Sequence, residues 1–354
     1  MTLTLSARQH SRGEIHCGTA VERKAFMIRQ LLRGRRLLAA SVATLVGSAV
    51  GNVVAQDNYP NRLVKIVVPA PPGTVLDSLP RFVAEKLAAR WKQPVIIENR
   101  PGAAQNIGAE AVAKAAPDGY TLLATPEGPL VISQYVFSNL GFDPAAFVPV
   151  SVFVTQPIVL VAHPQAPFSS LREMLSFAAA NPGKASYGSP GAGSSLHLVA
   201  EMLQWSAGVQ LLHVPYKGMA PAMADLLARH IAMTVDVLGN ALPHIKSGRL
   251  KALAVATEKR VPELPDVPAI AESFPGFHFS GWFAVAAPPN TPREIAATIS
   301  QAIAETLRLP DVVQRFRDLS VTPLGTSPAE TAAFLQRERE RWRRVATVTN
   351  VRVE

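Results

Sequence analysis

Leu63-Val64-Lys65-Ile66-Val67-Val68-Pro69 runs into Ala70-Pro71-Pro72-Gly73-Thr74-Val75-Leu76-Asp77, and over 79–91 the residues Phe82, Val83, Leu87 and Trp91 recur at helical spacing. An almost wholly apolar run of this kind reads as a strand buried on both faces, and the proline- and glycine-bearing stretch after it as a tight turn into a helix. The pattern repeats at once. A strand Pro94-Val95-Ile96-Ile97-Glu98 leads through Asn99-Arg100-Pro101-Gly102 into a helix over about 107–115, and the turn Pro117-Asp118-Gly119 opens the strand Tyr120-Thr121-Leu122-Leu123-Ala124. Such a βαβαβ series implies a parallel sheet with helices on both faces and ligands gathered at the C-terminal strand ends, where the loops at Gly73, at Gly102 and over 125–128 would meet.

Beyond this series, a β-rich run over 147–163, broken at Thr155-Gln156-Pro157, reads as a crossing between two lobes. A second α/β set follows, with helices expected over 171–180, 196–205, 220–228 and 242–247 and strands over 185–188, 209–214, 231–237 and 250–255. A strand over 279–286 crosses back, because the helical runs over 292–307, 310–319 and 328–345 need a sheet to cover; Pro292 and Pro328 stand at permitted early helix positions.

Within the second set, Tyr187-Gly188-Ser189-Pro190-Gly191-Ala192-Gly193-Ser194-Ser195-Leu196-His197 joins a short strand to a helix. The first N–H groups of a helix lack internal partners and carry the positive end of its dipole, so an anion can dock there, with glycines allowing close approach and Ser194 or Ser195 available as a cap. Taken alone, the stretch reads as an ordinary capped helix start. A dinucleotide fingerprint fits poorly, since the third glycine position holds Leu196.

The composition is that of an ordinary globular chain: 354 residues, 48% hydrophobic and 17% charged. Of the net charge of +9, six charges lie in the first 55 residues, which hold eight Lys/Arg and two Asp/Glu. The basic residues beyond are scattered and aromatics few, which excludes a nucleic-acid footprint. From Met27 the sequence reads as a secretory signal: Arg29, Arg33, Arg35 and Arg36, an apolar stretch over 37–50, then Val53-Val54-Ala55. Cleavage after Ala55 is expected, with translation starting at Met27 and 1–26 an upstream extension. The single cysteine, Cys17, falls in that extension, so the exported product is expected to hold no disulfide and no Cys-ligated metal.

Tyr59-Pro60, Pro71-Pro72-Gly73, Glu98-Asn99-Arg100-Pro101-Gly102-Ala103, Asn106-Ile107-Gly108 and Ala116-Pro117-Asp118-Gly119-Tyr120 occur in order. They are followed by Asn181-Pro182-Gly183-Lys184, His213-Val214-Pro215-Tyr216-Lys217-Gly218, Leu242-Pro243-His244-Ile245-Lys246 and Pro265-Asp266-Val267-Pro268. In this series the chain closely resembles the Bug family of periplasmic solute receptors, which accompany tripartite tricarboxylate transporters. The resemblance implies a two-lobe, periplasmic-binding-protein-like α/β fold, each lobe a mostly parallel sheet flanked by helices and joined by a hinge. Lobe I would comprise 56–157 and 280–354, and lobe II 158–279. It also implies a periplasmic location, a small organic acid held between the lobes, delivery to membrane transporter subunits, and a monomer without cofactor, metal or catalytic residue.

Carried over residue by residue, the site would draw on Gly73, Thr74, Val75, Leu76 and Asp77 in the first loop and on Glu127 in the third. The second lobe would add Ser189, Gly193, Ser194, Ser195 and Asp236. The family's first loop typically reads Pro-Pro-Gly-Gly-Ser-Thr-Asp; here Thr74, Val75 and Leu76 replace the second glycine and two hydroxyls. Glu127 would repel a nearby carboxylate unless it turned outward or met a cationic group. Asp236 reads equally as a ligand contact or as a turn cap. Val75 and Leu76 favour an aromatic or aliphatic monoacid over a compact polycarboxylate.

The alternative is an exported hydrolase or isomerase using the same cleft. It would need a convergent nucleophile and base, and neither His197 nor His213 stands in a metal-ligand or Gly-x-Ser-x-Gly pattern. His197 is expected to pack behind the glycine-serine loop, and His213 to anchor the turn at Pro215-Tyr216-Lys217-Gly218.

Overall fold

The computed structural model describes residues 59–353. The signal-like segment, the expected cleavage after Ala55, the start at Met27 and Cys17 lie outside the described residues.

The first unit forms as the apolar pattern dictates. Strand β1 (Val64–Val68) pairs in parallel with β2 (Val95–Asn99) and β3 (Thr121–Thr125). Helix α1 (Val75–Trp91) starts four residues earlier than the spacing of its large apolar residues suggests. Thr74, in extended backbone, ends the turn, and the Asp77 carboxylate accepts the Gly73 N–H at 3.1 Å, so the first turn is fixed despite Pro80 inside the helix. A single 3-10 turn (Ala103–Gln105) then leads into α2 (Asn106–Ala113). After β3 the chain makes a π-helical turn (Gly128–Ile132) and the short α3 (Ser133–Val136).

Strand β4 (Val148–Ala162) joins the two halves of the molecule. Its first part pairs antiparallel with β9 (Ser280–Ala287), from Val148 opposite Ala287 to Pro157 opposite Ser280. Its last five residues pair instead with β7 (Met233–Val237), from Ile158 opposite Val237 to Ala162 opposite Met233. The run through Thr155-Gln156-Pro157 therefore does not break; it is continuous strand, and the transfer between partners falls at Pro157 and Ile158. The second half holds α4 (Leu171–Ala180), β5 (Ser186–Ser189), α5 (Ser195–Ala207), β6 (Leu212–Pro215), α6 (Met219–Leu227), α7 (Leu238–Lys246) and β8 (Lys251–Val255). The chain closes with α8 (Arg293–Thr306), α9 (Pro310–Asp318), the two-residue β10 (Thr322–Pro323) and α10 (Pro328–Thr349).

The sheet order is β2-β1-β3-β9-β4-β7-β5-β6, with β8 and β10 also on β4. Each half is thus a parallel set, β1-β2-β3 or β5-β6-β7, sewn by antiparallel β9 and β4 into one curled sheet. Three apolar clusters follow. One joins β1 and β3 to α1, α8 and α9; another packs α6 and α7 on the far half; the largest runs through both halves. In that last cluster Leu335, Trp342, Val345 and Ala346 of α10 share a core with Leu196, Val199 and Leu203 of α5 and with the turn Leu130-Val131-Ile132. Helix α10 therefore packs on elements of both halves, although its place in the sequence puts it with the first.

Candidate ligand-binding cleft

A cleft of about 380 Å³ lies between the two halves, lined from one side by Pro71, Thr74, Leu76, Ala104, Glu127 and Phe283 and from the other by Gly191, Ser195, Leu196, Lys217, Asp236 and Asn240. It sits where the C-terminal ends of parallel strands must place it. The first turns of α1, α5, α6 and α7 all border it, through Leu76, Ser195, Met219 and Asn240. Most of its surface is apolar, with Leu76, Phe137, Leu196, Met219 and Phe283 in the walls, and Lys217 is its one basic residue among the described residues.

Two helix ends have donors to spare. At α1, Asp77 N–H and Ser78 N–H both return to Thr74 O, and the N–H groups of Val75 and Leu76 have no acceptor among the described residues. At α5, Ser194 Oγ accepts from His197 N–H at 3.3 Å and donates to Gly191 O at 2.7 Å, and the N–H groups of Ser195 and Leu196 have no acceptor among the described residues. Paired, dipole-backed N–H groups of this kind bind carboxylate or phosphate oxygen.

Glycines set how closely the two halves approach. A Cβ on Gly218 would stand 3.2 Å from Pro71 Cγ, and one on Gly191 would stand 4.0 Å from Ala104 Cα. On the first half, Ala103, Ala104 and Gln105 all have left-handed backbone, with φ of 46°, 46° and 79°. A run of three such non-glycine residues is costly, and it carries the cleft wall at Gly102-Ala103-Ala104-Gln105.

The electrostatics rest on two buried acids. Glu127 is 2% exposed; its Oε1 accepts from Trp282 N–H at 2.7 Å and its carboxyl meets the Ser195 hydroxyl. Burial pushes its pKa up to about 7, aided by the charge of Glu338, against the pull of these hydrogen bonds. Glu127 therefore does not turn outward; it pins β9. Asp236 is fully buried, and burial pushes its pKa up to about 7 as well. Its Oδ1 accepts from Val237 N–H at 2.7 Å and from Asn240 Nδ2 at 3.1 Å, whereas Oδ2 has no partner. One oxygen caps the β7–α7 turn and the other faces no donor.

The family model for "Tripartite tricarboxylate transporter family receptor" matches residues 79–351. The chain belongs to this receptor family. Protein BugT of Bordetella pertussis is 35% identical over 90% of this chain and 99% of its own length. Among solved structures, a Rhodopseudomonas palustris protein determined with adipate is 34% identical, with a TM-score of 0.79 over 83% of this chain and 99% of its own. MatC from the same organism, with bound malate, is 32% identical, with a TM-score of 0.77 over 81% and 99%. The Bug resemblance, the solute-receptor class and the two-lobe fold are thereby shown.

In this receptor Thr74, Leu76, Glu127, Ser195 and Asp236 come together in the cleft wall, and the other six expected site residues do not. Gly73 is exposed beside the cleft, its N–H taken by Asp77. Asp77 is spent on that turn: burial would raise its pKa, but Arg81, Asn99 and the Gly73 N–H outweigh it and hold the carboxyl below its ordinary range. Val75 turns into the core around α1, so the apolar wall expected from Val75 and Leu76 falls to Leu76 alone.

Ser189, Gly193 and Ser194 form the back of the α5 loop. Ser189 Oγ bonds His213 Nε2 at 2.7 Å, and Gly193 N–H donates to His197 Nδ1 at 3.0 Å. His197, His213 and Tyr187 stack behind them, with the two imidazole centroids 3.9 Å apart. His197 thus supports the loop as expected, while His213 anchors Ser189 and not the turn at Pro215. A Cβ on Gly193 would meet Phe137 Cε2 at 2.9 Å and Val136 and Val353 at 3.1 Å, so the glycine is there for packing and for its φ of 79°, not for approach to a ligand.

Sequence reasoning missed Ala103, Ala104 and Gln105, Gln156, Phe283 and Asn240, all in the wall. Gln156 is 2% exposed, a buried polar residue in a largely buried strand. Lys217, in the turn at Pro215-Tyr216-Lys217-Gly218, is exposed and also borders the cleft.

Proposed function

We propose that this protein is a periplasmic receptor that binds a small organic acid in the interlobe cleft and passes it to a tripartite tricarboxylate-type membrane transporter. The observation that carries this reading is that two helix starts, at Val75 and at Ser195, border one mostly apolar cleft and hold N–H groups without an acceptor among the described residues. A carboxylate would take its hydrogen bonds from these N–H groups, with Lys217 as the only basic side chain at hand among the described residues, while Leu76, Leu196, Met219 and Phe283 cover an apolar body. Relatives solved with adipate and malate support an acid of this size.

Export follows from the signal-like N-terminus, and no helix among the described residues is long and apolar enough to cross a membrane. For the enzymatic alternative, the nearest serine–histidine pair is Ser189 with His213. Ser189 is fully buried outside the cleft lining, and burial pushes the His213 pKa down to about 4, which suits a packed imidazole better than a general base.

Native mass spectrometry of protein purified without added ligand, followed by a thermal-shift panel of carboxylic acids, tests the reading. Retained acid, or a melting shift without turnover, is expected. Turnover of any panel member, or no acid binding at all, would overturn it.

A further inference from the structure

The two halves of the molecule are joined unevenly. At α10 one apolar cluster runs through both, with Trp342, Val345 and Ala346 sharing a core with Leu196, Val199 and Leu203 of α5. At α7 the cores stop at the boundary. Val75, Val312 and Phe316 belong to a cluster of the first half, Leu238, Ala241 and Leu242 to one of the second, and no cluster joins α7 to the first half. Nor does a hydrogen bond run from α7 to the first half among the described residues.

The halves nonetheless touch there, and closely. A Cβ on Gly239 would stand 2.3 Å from Leu319 O, in the turn after α9, and 3.5 Å from Val75 Cγ2 at the start of α1. The nearer obstacle is a backbone carbonyl, which no change of rotamer can move aside. Gly239 lies inside α7, where alanine is the better helix former, so the helix itself does not call for glycine. Gly218, which meets Pro71, has a φ of 123° as a second reason to be glycine; at Gly239 the contact is the whole reason. A contact too tight for a methyl group, with neither a shared core nor a hydrogen bond behind it, is easy to part and must be remade face to face. The neighbours of this contact, Thr74 and Leu76 on one half and Asn240 on the other, line the cleft, whereas Gly239 does not.

We propose that Gly239 is the seat on which the two halves close over the ligand, parting where α7 meets the start of α1 while α10 holds them together. The close approach at Gly239 then brings the donors of α1, in one half, and of α5, in the other, onto one ligand. This rests on the receptor reading and adds to it a positioning residue that touches no ligand.

Gly239→Ala in the full mature protein tests it. In the parted form the methyl group has room and favours the helix, so the ligand-free variant is expected to melt at or above the wild-type temperature. Calorimetric titration with adipate, malate and hexanoate is expected to show at least about tenfold weaker binding by the variant of each acid that the wild type binds, because closure is disfavoured for all of them alike. X-ray solution scattering supplies a readout that a merely structural role would not move. The wild type is expected to become more compact when such an acid is added, and the variant to stay expanded at the same concentration. A ligand-free variant that fails to fold or melts several degrees below wild type would mean that the halves do not part at Gly239. That result, equal affinity in the two proteins, or a wild type that binds without compaction overturns the seat and leaves the receptor reading standing. If none of the three acids binds the wild type, the receptor reading falls and the seat with it.

Discussion

In the β1–α1 loop Thr74 makes no side-chain cap bond, and the turn is tied by Asp77, which accepts from Gly73 N–H, and by the Thr74 hydroxyl, which donates to Pro71 O at 3.3 Å. In the β5–α5 loop nearly every polar group is engaged, Ser189 with His213, Gly193 N–H with His197, and Ser194 with both His197 N–H and Gly191 O. Both loops nonetheless leave the first two N–H groups of their helix without an acceptor among the described residues, at helix starts that border the cleft. The same anion-binding device is therefore mounted once on a sparse turn and once on a buttressed one. The buttress, a stack of Tyr187, His213 and His197 under the loop, makes the second lobe's donors the more rigid pair.

The two glycines break the comparison most sharply. Gly193→Val is expected to destabilise the fold by about 3 kcal/mol or more, because φ strain and contact with Phe137, Val136 and Val353 act together. Gly73→Ala, at a similar φ of 86° but with nothing within 4 Å of the new Cβ, is expected to cost only about 1 kcal/mol. Urea denaturation of both variants checks this; equal losses would mean that the second loop is not buttressed.

The caps come next. Ser194→Ala removes a side-chain cap and is expected to cost about 1 kcal/mol, whereas Thr74→Ala, which removes none, is expected to stay within about 0.5 kcal/mol of wild type. Thermal melts distinguish the two, and a larger loss at Thr74 would invert the comparison.

A third difference is pH. Asp236 has a folded pKa raised to about 7 from an ordinary carboxyl value of 3.8, so between those values the folded state holds a proton that the unfolded state has lost. Its contribution to stability is present in acid and is lost as pH rises through that window. Asp236→Asn removes the contribution, so the melting temperature of the variant relative to wild type is expected to climb across the window and level off above it. A difference independent of pH would show that Asp236 is not a buried acid.

How much of this was legible in the sequence follows from the range of the interactions. Strands and helices came from period and turn chemistry, which are local, and so did the helix starts that make the cleft. The role of Gly193 was not legible, because it is set by Phe137, Val136 and Val353, none of them near it in sequence. Val75 and Leu76 are adjacent and equally apolar; only the direction of α1 sends one to the core and the other to the cleft. Gln156 was hidden beside Pro157, in what reads as a break and is a continuous strand passing from β9 to β7. The left-handed path of Ala103, Ala104 and Gln105 left no mark either, since alanine gives no sign of positive φ.

The most direct test of acid binding at the helix ends is calorimetric titration of one acid, adipate, into wild type and Leu76→Asp. The new carboxylate would sit at the start of α1, where it favours the helix dipole but repels a ligand carboxylate. Binding by the wild type, at least about tenfold weaker binding by the variant, and an equal or higher melting temperature are predicted. Equal affinity in the two proteins, or no binding by the wild type, would contradict the account.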